Sequence, residues 1–256
     1  MDPSFTLQFM SDLHTEMLGT VPDIKAHADY LALCGDIGNV FDEEDLYECL
    51  IRQVSGKFRH VFVVLGNHEY YGHVMDDVHA KCVVLGERYP NVHFLDKSSY
   101  TIPGTVRILG CTLWSHVDNS VAHSMMNDYK LIRKKDGRRI SPIDVRRLHE
   151  EHAKWLDKEL EEGGALPTII LTHHAADMRM NGQYCGGPLE TAFATDLPWL
   201  FRPPVKVWLC GHTHQNMTVH VNGIAHTANC KGYSDECLRF DPTKTFHLTP
   251  PDFFRT

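Results

Sequence analysis

Residues 5–14 read Phe5-Thr6-Leu7-Gln8-Phe9-Met10-Ser11-Asp12-Leu13-His14. The stretch from Phe5 to Met10 alternates apolar and polar side chains, the signal of a strand with one buried face. It runs at once into a carboxylate and an imidazole two residues apart. The same plan recurs along the chain. Tyr30 to Cys34 is a short apolar run followed by Gly35-Asp36, and Val61 to Leu65 is followed by Gly66-Asn67-His68-Glu69. Thr168 to Leu171 leads to His173-His174, and Val205 to Cys210 leads to Gly211-His212-Thr213-His214. Short, partly β-branched runs bounded by turn residues are expected to be buried strands.

Helical patterns fall between these runs. Asp42 to Val54 puts Leu46, Leu50, Ile51 and Val54 on one face, and Val74 to Arg88 is a second helix. The third spans Ser141 to Glu162, with Ser141 as N-cap, Pro142 in the first turn and Gly163-Gly164 as the stop. Its core stripe is Val145, Leu148, His152, Trp155, Leu156 and Leu160. Pro103-Gly104 marks a turn between two strands, and Asn222-Gly223 marks a type I′ hairpin. Strands alternating with helices, then hairpins, specify an α/β fold with mixed sheets flanked by helices.

The bulk composition narrows the function. At 256 residues the chain suits one domain, residues 1–256, with a sizeable core. A net charge of −8 argues against a protein that coats nucleic acid. The start carries no basic, apolar leader, and no run is long enough for a membrane span. Eight cysteines without a C-x-x-C pair exclude a zinc finger and suit a reducing, cytoplasmic setting. The 18 histidines are the unusual count, and they prompt a search for clusters.

In open α/β folds ligands bind beyond the carboxyl ends of strands, so the five donor-bearing turns are expected to converge. Imidazole, carboxylate and carboxamide oxygen suit manganese, iron, zinc, cobalt or nickel better than calcium or magnesium. The donors are too many for one tetrahedral ion but suit two ions about 3.5–4 Å apart if one carboxylate bridges. The Asp12-x-His14 and His212-x-His214 spacings suit side chains on one side of an extended segment.

Taken in order, Asp12-Leu13-His14, Gly35-Asp36, Gly66-Asn67-His68-Glu69, His173 and Gly211-His212-Thr213-His214 resemble the motifs of the calcineurin-like metallophosphoesterases. The resemblance runs from residue 5 to about residue 233. It implies a four-layer α/β/β/α sandwich with a dinuclear metal site at the C-terminal strand ends. It implies that Asp12, His14 and His214 hold one metal, that Asn67, His173 and His212 hold the other, and that Asp36 bridges. His68 is then the catalytic acid, and Asn67, His68 and His174 face substrate, though packing suits His174 somewhat better. Manganese is the favoured metal. The implied activity is hydrolysis of a small phosphate ester or nucleotide, monoester or diester, by a hydroxide bridging the two metals.

Other readings use the same residues. A protein serine/threonine phosphatase of this family carries Gly-Asp-x-Val-Asp-Arg-Gly at the second motif, whereas this chain reads Gly35-Asp36-Ile37-Gly38-Asn39. A DNA-processing nuclease conflicts with the acidic balance. A non-catalytic scaffold conflicts with a complete donor set. Glu69 suits a partner orienting a ligand imidazole or a solvated loop acid. His116 and Asp118 suit the pocket or an ordinary loop. Asn229, Lys231, Gly232 and Tyr233 suit support of the His212 loop, phosphate binding through Lys231, or a plain turn. Residues 130–147 carry eight basic and two acidic side chains, which suits a substrate-steering flap or a solvated face. Residues 178–197, with Tyr184 and Phe193, suit a substrate wall.

Overall fold

The computed structural model describes residues 5–41, 45–117, 120–234, 236–237 and 239–249. Its strands are β1 (Phe5–Met10), β2 (Tyr30–Cys34), β3 (His60–Val64), β4 (Val92–Phe94), β5 (Ser98–Ile102), β6 (Val106–Cys111), β7 (Thr168–Thr172), β8 (Val205–Cys210), β9 (Thr218–Val221), β10 (Ile224–Ala228) and β11 (Thr245–Leu248). The helices are α1 (Thr15–Leu18), α2 (Leu46–Ser55), α3 (Met75–Arg88), α4 (Ser120–Met125), α5 (Asp128–Leu131), α6 (Pro142–Glu162) and α7 (Glu190–Phe193). The first helix expected from the sequence begins later than read, at Leu46, and residues 42–44 lie outside the described residues.

The strands form two mixed sheets, one in the order β11-β1-β2-β3-β4 and the other in the order β5-β6-β7-β8-β10-β9. The first sheet is parallel from β1 to β4 with β11 antiparallel at one edge, and the second is parallel from β6 through β7 and β8 to β10 with antiparallel β5 and β9 at its two edges. Strand periodicity explains the layering. Val61 and Val63 of β3 face the helix side, packing with Leu50 and Ile51 of α2 and Val78 and Leu85 of α3. Phe62 and Val64 face the other way, joining Ile169 and Leu171 of β7 and Val207 and Leu209 of β8 between the sheets. On the far side Trp208 packs with Leu156 and Leu160 of α6. The result is the four-layer α/β/β/α sandwich. Each fully buried aliphatic or aromatic side chain contributes about 1.5–3 kcal/mol, so the inter-sheet layer is a main source of stability.

The expected punctuation is present. Ser141 Oγ accepts from Asp144 N, and Asp144 returns a bond to Ser141 N, a complete capping box. Asn222 and Gly223 both have positive φ and join β9 to β10 as a type I′ turn. The α6 stripe differs in part: Leu148 and Trp155 are only partly buried, while His149 is buried. His149 and His152 are satisfied core residues, bonded to the carbonyl and amide of Leu113 at 3.2 and 3.0 Å. They fix the loop after β6. Among the described residues no helix is long and apolar enough to cross a membrane.

Candidate metal centre

The turns after β1 and β2 in one sheet meet the turns after β7 and β8 in the other. Asp12, His14, Asp36, His212 and His214 all have left-handed backbone, with φ between 47° and 66°. The two i, i+2 pairs therefore do not lie on extended segments, as their spacing had suggested. Both residues of each pair are turned about a single intervening position. Asp and His enter this region more readily than most residues, and each such position still costs about 1–3 kcal/mol. Backbone bonds hold them there: Asp12 N donates to Gly35 O at 2.9 Å and His14 N to Asp36 O at 3.0 Å. Across the sandwich, His212 N donates to the Asp12 carboxylate at 3.1 Å. A Cβ at Gly35 would collide with the His173 ring, and one at Gly66 with Asp36. The glycines of these motifs are the space the donors occupy.

Of the four groups of close donor atoms among the described residues, two hold only expected ligands, Asp12 with His14 and His214, and Asp36 with His173 and His212; the others join His68 to His14 and Asp36, and Glu236 and Cys237 to His214. His14 Nε2 and His214 Nε2 are 3.2 Å apart. His173 Nε2 is 3.1 Å from His212 Nδ1 and 3.1 Å from Asn67 Oδ1. Tautomers follow from the opposite ring nitrogens. His14 Nδ1 faces Glu16 Oε1 at 3.3 Å, His214 Nδ1 faces Glu236 Oε2 at 2.6 Å, and His173 Nδ1 faces Cys34 O at 2.9 Å. Those oxygens only accept, so each Nδ1 carries hydrogen. In neutral rings every inward Nε2 is then a lone pair aimed at other lone pairs. Asn67 is fixed likewise: its Nδ2 donates to Asp128 and Tyr71, turning Oδ1 inward. Atoms bound at about 2.1 Å to one cation lie about 3.0–3.4 Å apart. The residues present fit metal ions at both groups.

Charge follows the same geometry. Burial alone would lower an imidazole pKa, yet Asp36 raises His173 to about 10 and Asp12 raises His214 to about 9. Asp12 and Asp36 are held low despite burial, by His214 and His173 respectively. His212 is pushed down to about 3 by burial and by His173. Protons on His173 and His214 relieve the facing lone pairs, which is the task a divalent cation would perform for a whole group.

Several contributors were not apparent from the sequence. Glu16 Oε1 accepts from both His14 and His68, at 3.3 and 2.9 Å. Asp128 and Tyr71 orient Asn67, and Glu236 orients His214. Tyr233 OH lies 3.3 Å from His68 Nε2. Glu69 takes neither role foreseen for it: it is buried and accepts from the amides of Asp36, Ile37 and Gly66 at 2.7–3.0 Å. Burial, then Asp36, raises it to about 8. A donor-rich motif with an acid a few residues on was the available signal for Glu16; for Asp128 and Glu236 there was none.

Residues 6–216 match the family description Metallophos, calcineurin-like phosphoesterase. The chain belongs to the calcineurin-like phosphoesterases. An uncharacterized protein of Acanthamoeba polyphaga mimivirus, L509, is 31% identical over 266 residues, covering 92% of this chain and 94% of that one. The 3′,5′-cyclic adenosine monophosphate phosphodiesterase of Escherichia coli K12 is 28% identical over 102 residues, or 36% of this chain and 35% of that protein. Among solved structures, phosphopantetheinyl hydrolase of Mycobacterium tuberculosis superposes with a TM-score of 0.68 at 18% identity over 97% of both chains. A dimetal phosphatase of Danio rerio gives 0.55 at 12% identity over 89% and 87%. These two likenesses are of fold.

Within this calcineurin-like frame a cavity of about 210 Å3 opens over Asp36, Asn67, His68, His212 and His214. His174 is buried beneath His212, ring centroids 4.0 Å apart, and does not line the cavity. His116 does not line it either, and Asp118 lies outside the described residues. Residues 229–233 brace both the first motif and the His212 loop: Lys231 N donates to Ser11 O and Gly232 N to Asp12 O, while Cys230 N donates to Asn216 Oδ1 at 2.6 Å and Asn216 Nδ2 donates to Cys230 O at 2.8 Å. Lys231 does not reach the cavity. In the basic segment Lys134 pairs with Asp144 and Arg138 with Asp136, while Arg146 donates to Val117 O. From residues 178–197, Tyr184 and Phe193 do line the cavity.

Proposed function

We propose that this chain is a phosphoester hydrolase working with two divalent cations, manganese foremost and iron, zinc, cobalt or nickel by the same donor chemistry. Asp12, His14 and His214 hold one cation, Asn67, His173 and His212 hold the other, and Asp36 bridges them. One observation carries this reading: Asp36 presents Oδ2 to His14 Nε2 at 4.0 Å and Oδ1 to His173 Nε2 at 3.4 Å, one oxygen towards each donor group. Bound there, the cations would supply Lewis acidity that activates water and neutralises phosphate charge. Membership of the family supports hydrolysis in general.

The chain's own groups supply the rest. His68 fronts the cavity with Nε2, while its Nδ1–H is tied to Glu16. Burial would lower its pKa, but Asp36 and Glu16 hold it up at about 9. Tied to Glu16 and fronting the cavity, it is placed to give a proton to a departing alkoxide oxygen. Asn67 is a neutral donor whose amide NH2 is already engaged, so it adds no negative charge where phosphate must sit. The eight cysteines are unpaired, which supports action in a reducing compartment such as the cytoplasm.

The test is metal content with turnover. Protein stripped, reloaded with Mn2+ and desalted is expected to hold two equivalents and to hydrolyse nitrophenyl phosphate esters. Asp36→Asn is expected to lose metal and turnover together. A saturated wild-type sample retaining one equivalent or less would overturn the dinuclear reading.

A further inference from the structure

Tyr233 lines the cavity, and its hydroxyl lies 3.3 Å from His68 Nε2. Among the described residues that nitrogen is the hydroxyl's one hydrogen-bond partner. The choice is as narrow from the other side. His68 Nδ1–H is committed to Glu16, and the carboxylate oxygen facing Nε2, Asp36 Oδ2, is 3.9 Å away, too far for a hydrogen bond. With cations at the two donor groups that carboxylate is theirs, which leaves Tyr233.

The fold holds the phenol in place. Gly232 has a φ of 68°, and its N–H donates to Asp12 O at 2.9 Å, tying the residue before Tyr233 to the first donor motif. Tyr233 N donates to Glu236 Oε2 at 3.3 Å, the oxygen that also accepts from His214 Nδ1. The ring packs beside His14 and His214, with centroids 4.6 and 4.9 Å apart. Those imidazoles turn Nε2 inward, so cation binding uses atoms that Tyr233 does not.

We infer that Tyr233 is a positioning residue for proton delivery: its hydroxyl holds His68 Nε2 at the cavity and partners that nitrogen again once the proton has gone. This rests on the hydrolase reading and deepens it. A phenol hydroxyl both accepts and donates. It accepts from Nε2–H of the charged ring, and a contact of 3.3 Å is loose enough for that hydrogen to pass to a leaving oxygen. Water oxygen bonds to phosphorus as the P–O bond to the alcohol breaks. The electron pair of that bond stays on the alcohol oxygen, which takes the proton from Nε2. The ring is left neutral with a bare lone pair, and the hydroxyl turns to donate to it. Tyr233 therefore matters most where the leaving oxygen needs a proton.

Tyr233→Phe keeps the ring and removes the hydroxyl. In the Mn2+-loaded full chain its metal content is expected to equal that of the wild type. Phenyl and p-nitrophenyl esters separate the roles, because p-nitrophenolate departs without a proton and phenolate is far more basic. The variant should lose about tenfold in kcat on the phenyl ester and about twofold on the p-nitrophenyl ester. In a His68→Ala background the same change should cost nothing further on either ester. Equal losses on the two esters, or a further loss in that background, would place the hydroxyl on the phosphate and overturn the inference. Loss of metal would make Tyr233 a ligand and overturn it too. A reading without turnover comes from imidazole 15N resonances of the Zn2+-loaded chain. Tyr233→Phe should move the His68 Nε2 signal and leave that of His220 in place. An unmoved His68 signal overturns the inference even if the wild type is active. A moved signal in a chain that hydrolyses no ester supports the contact and removes the hydrolase reading instead.

Discussion

The Nδ1–H of His68 donates to Glu16 Oε1 at 2.9 Å, joining the third donor motif to an acid two residues beyond the first. The bond fixes the ring so that Nε2 faces the cavity, and it stabilises the charged ring. Glu16→Gln keeps the size and removes the charge. Burial lowers the His68 pKa, and Asp36 and Glu16 raise it; with Asp36 engaged by the cations, Glu16 is the charge that holds the acid form, which is lost as pH rises. The variant should therefore lose activity at lower pH than the wild type. It should also be about 10–100-fold slower at its optimum, the usual cost of removing an orienting partner. A pH–kcat profile of both proteins checks this, and superimposable basic limbs would remove Glu16 from the mechanism.

His68→Ala separates proton delivery from metal holding. The backbone N–H of residue 68 donates to Asp36 Oδ1 at 2.9 Å and survives the change. Metal content should stay at the wild-type value while kcat falls about 10²–10⁴-fold. Elemental analysis beside kinetics reads both quantities. A variant that loses metal in proportion to activity would make His68 a ligand.

The sequence made the donors legible because each stands directly after an apolar strand, so strand recognition and donor recognition support one another. Asp36 after Tyr30–Cys34 and His173 after Thr168–Thr172 are cases in point. The left-handed turns at Asp12 and His214 were not legible: an i, i+2 spacing is compatible with extended backbone, and only bonds from other segments, such as Asp12 N to Gly35 O, select the turn. The orienting residues were hidden for a different reason. Asp128 reaches Asn67 from 61 positions away and Tyr233 reaches His68 from 165, and no local pattern records such meetings. Lys231 was a local lysine in a suggestive loop, but the fold uses its backbone.

Asp128 is the hidden residue with the clearest expected effect. It is buried, and its Oδ1 accepts from both Asn67 Nδ2 and Tyr71 OH, at 2.9 and 2.7 Å. Removing it in Asp128→Ala leaves two donors short of a partner and frees the Asn67 amide to turn, at about 1–3 kcal/mol for each buried group left unsatisfied. Metal affinity at the Asn67, His173 and His212 group should fall about 10–100-fold, and the other group should change less. Stepwise Mn2+ titration followed by calorimetry would show one weakened step. Two steps weakened equally would mean general damage to the fold.

Acid sensitivity should have a component outside the metal centre, at His226. The ring is fully buried; Nε2 accepts from Ala176 N at 3.0 Å and Nδ1–H donates to Trp208 O at 3.2 Å, an arrangement that requires the neutral ring. Burial lowers its pKa from 6.5 to about 4, with the Trp208 bond opposing. Between those values the unfolded chain binds a proton that the folded chain refuses, so stability rises with pH across this window. The contribution is complete above about pH 6.5 and is lost as pH falls towards 4, a change on the order of 3 kcal/mol. His226→Gln tests this directly, because a glutamine oxygen can accept from Ala176 N and its amide can donate to Trp208 O without titrating. In urea unfolding at several pH values, the wild type should lose stability relative to His226→Gln as pH drops from 6.5 to 4. A difference that stays flat across that window would show that the imidazole is protonated in the fold, with one of its two bonds broken.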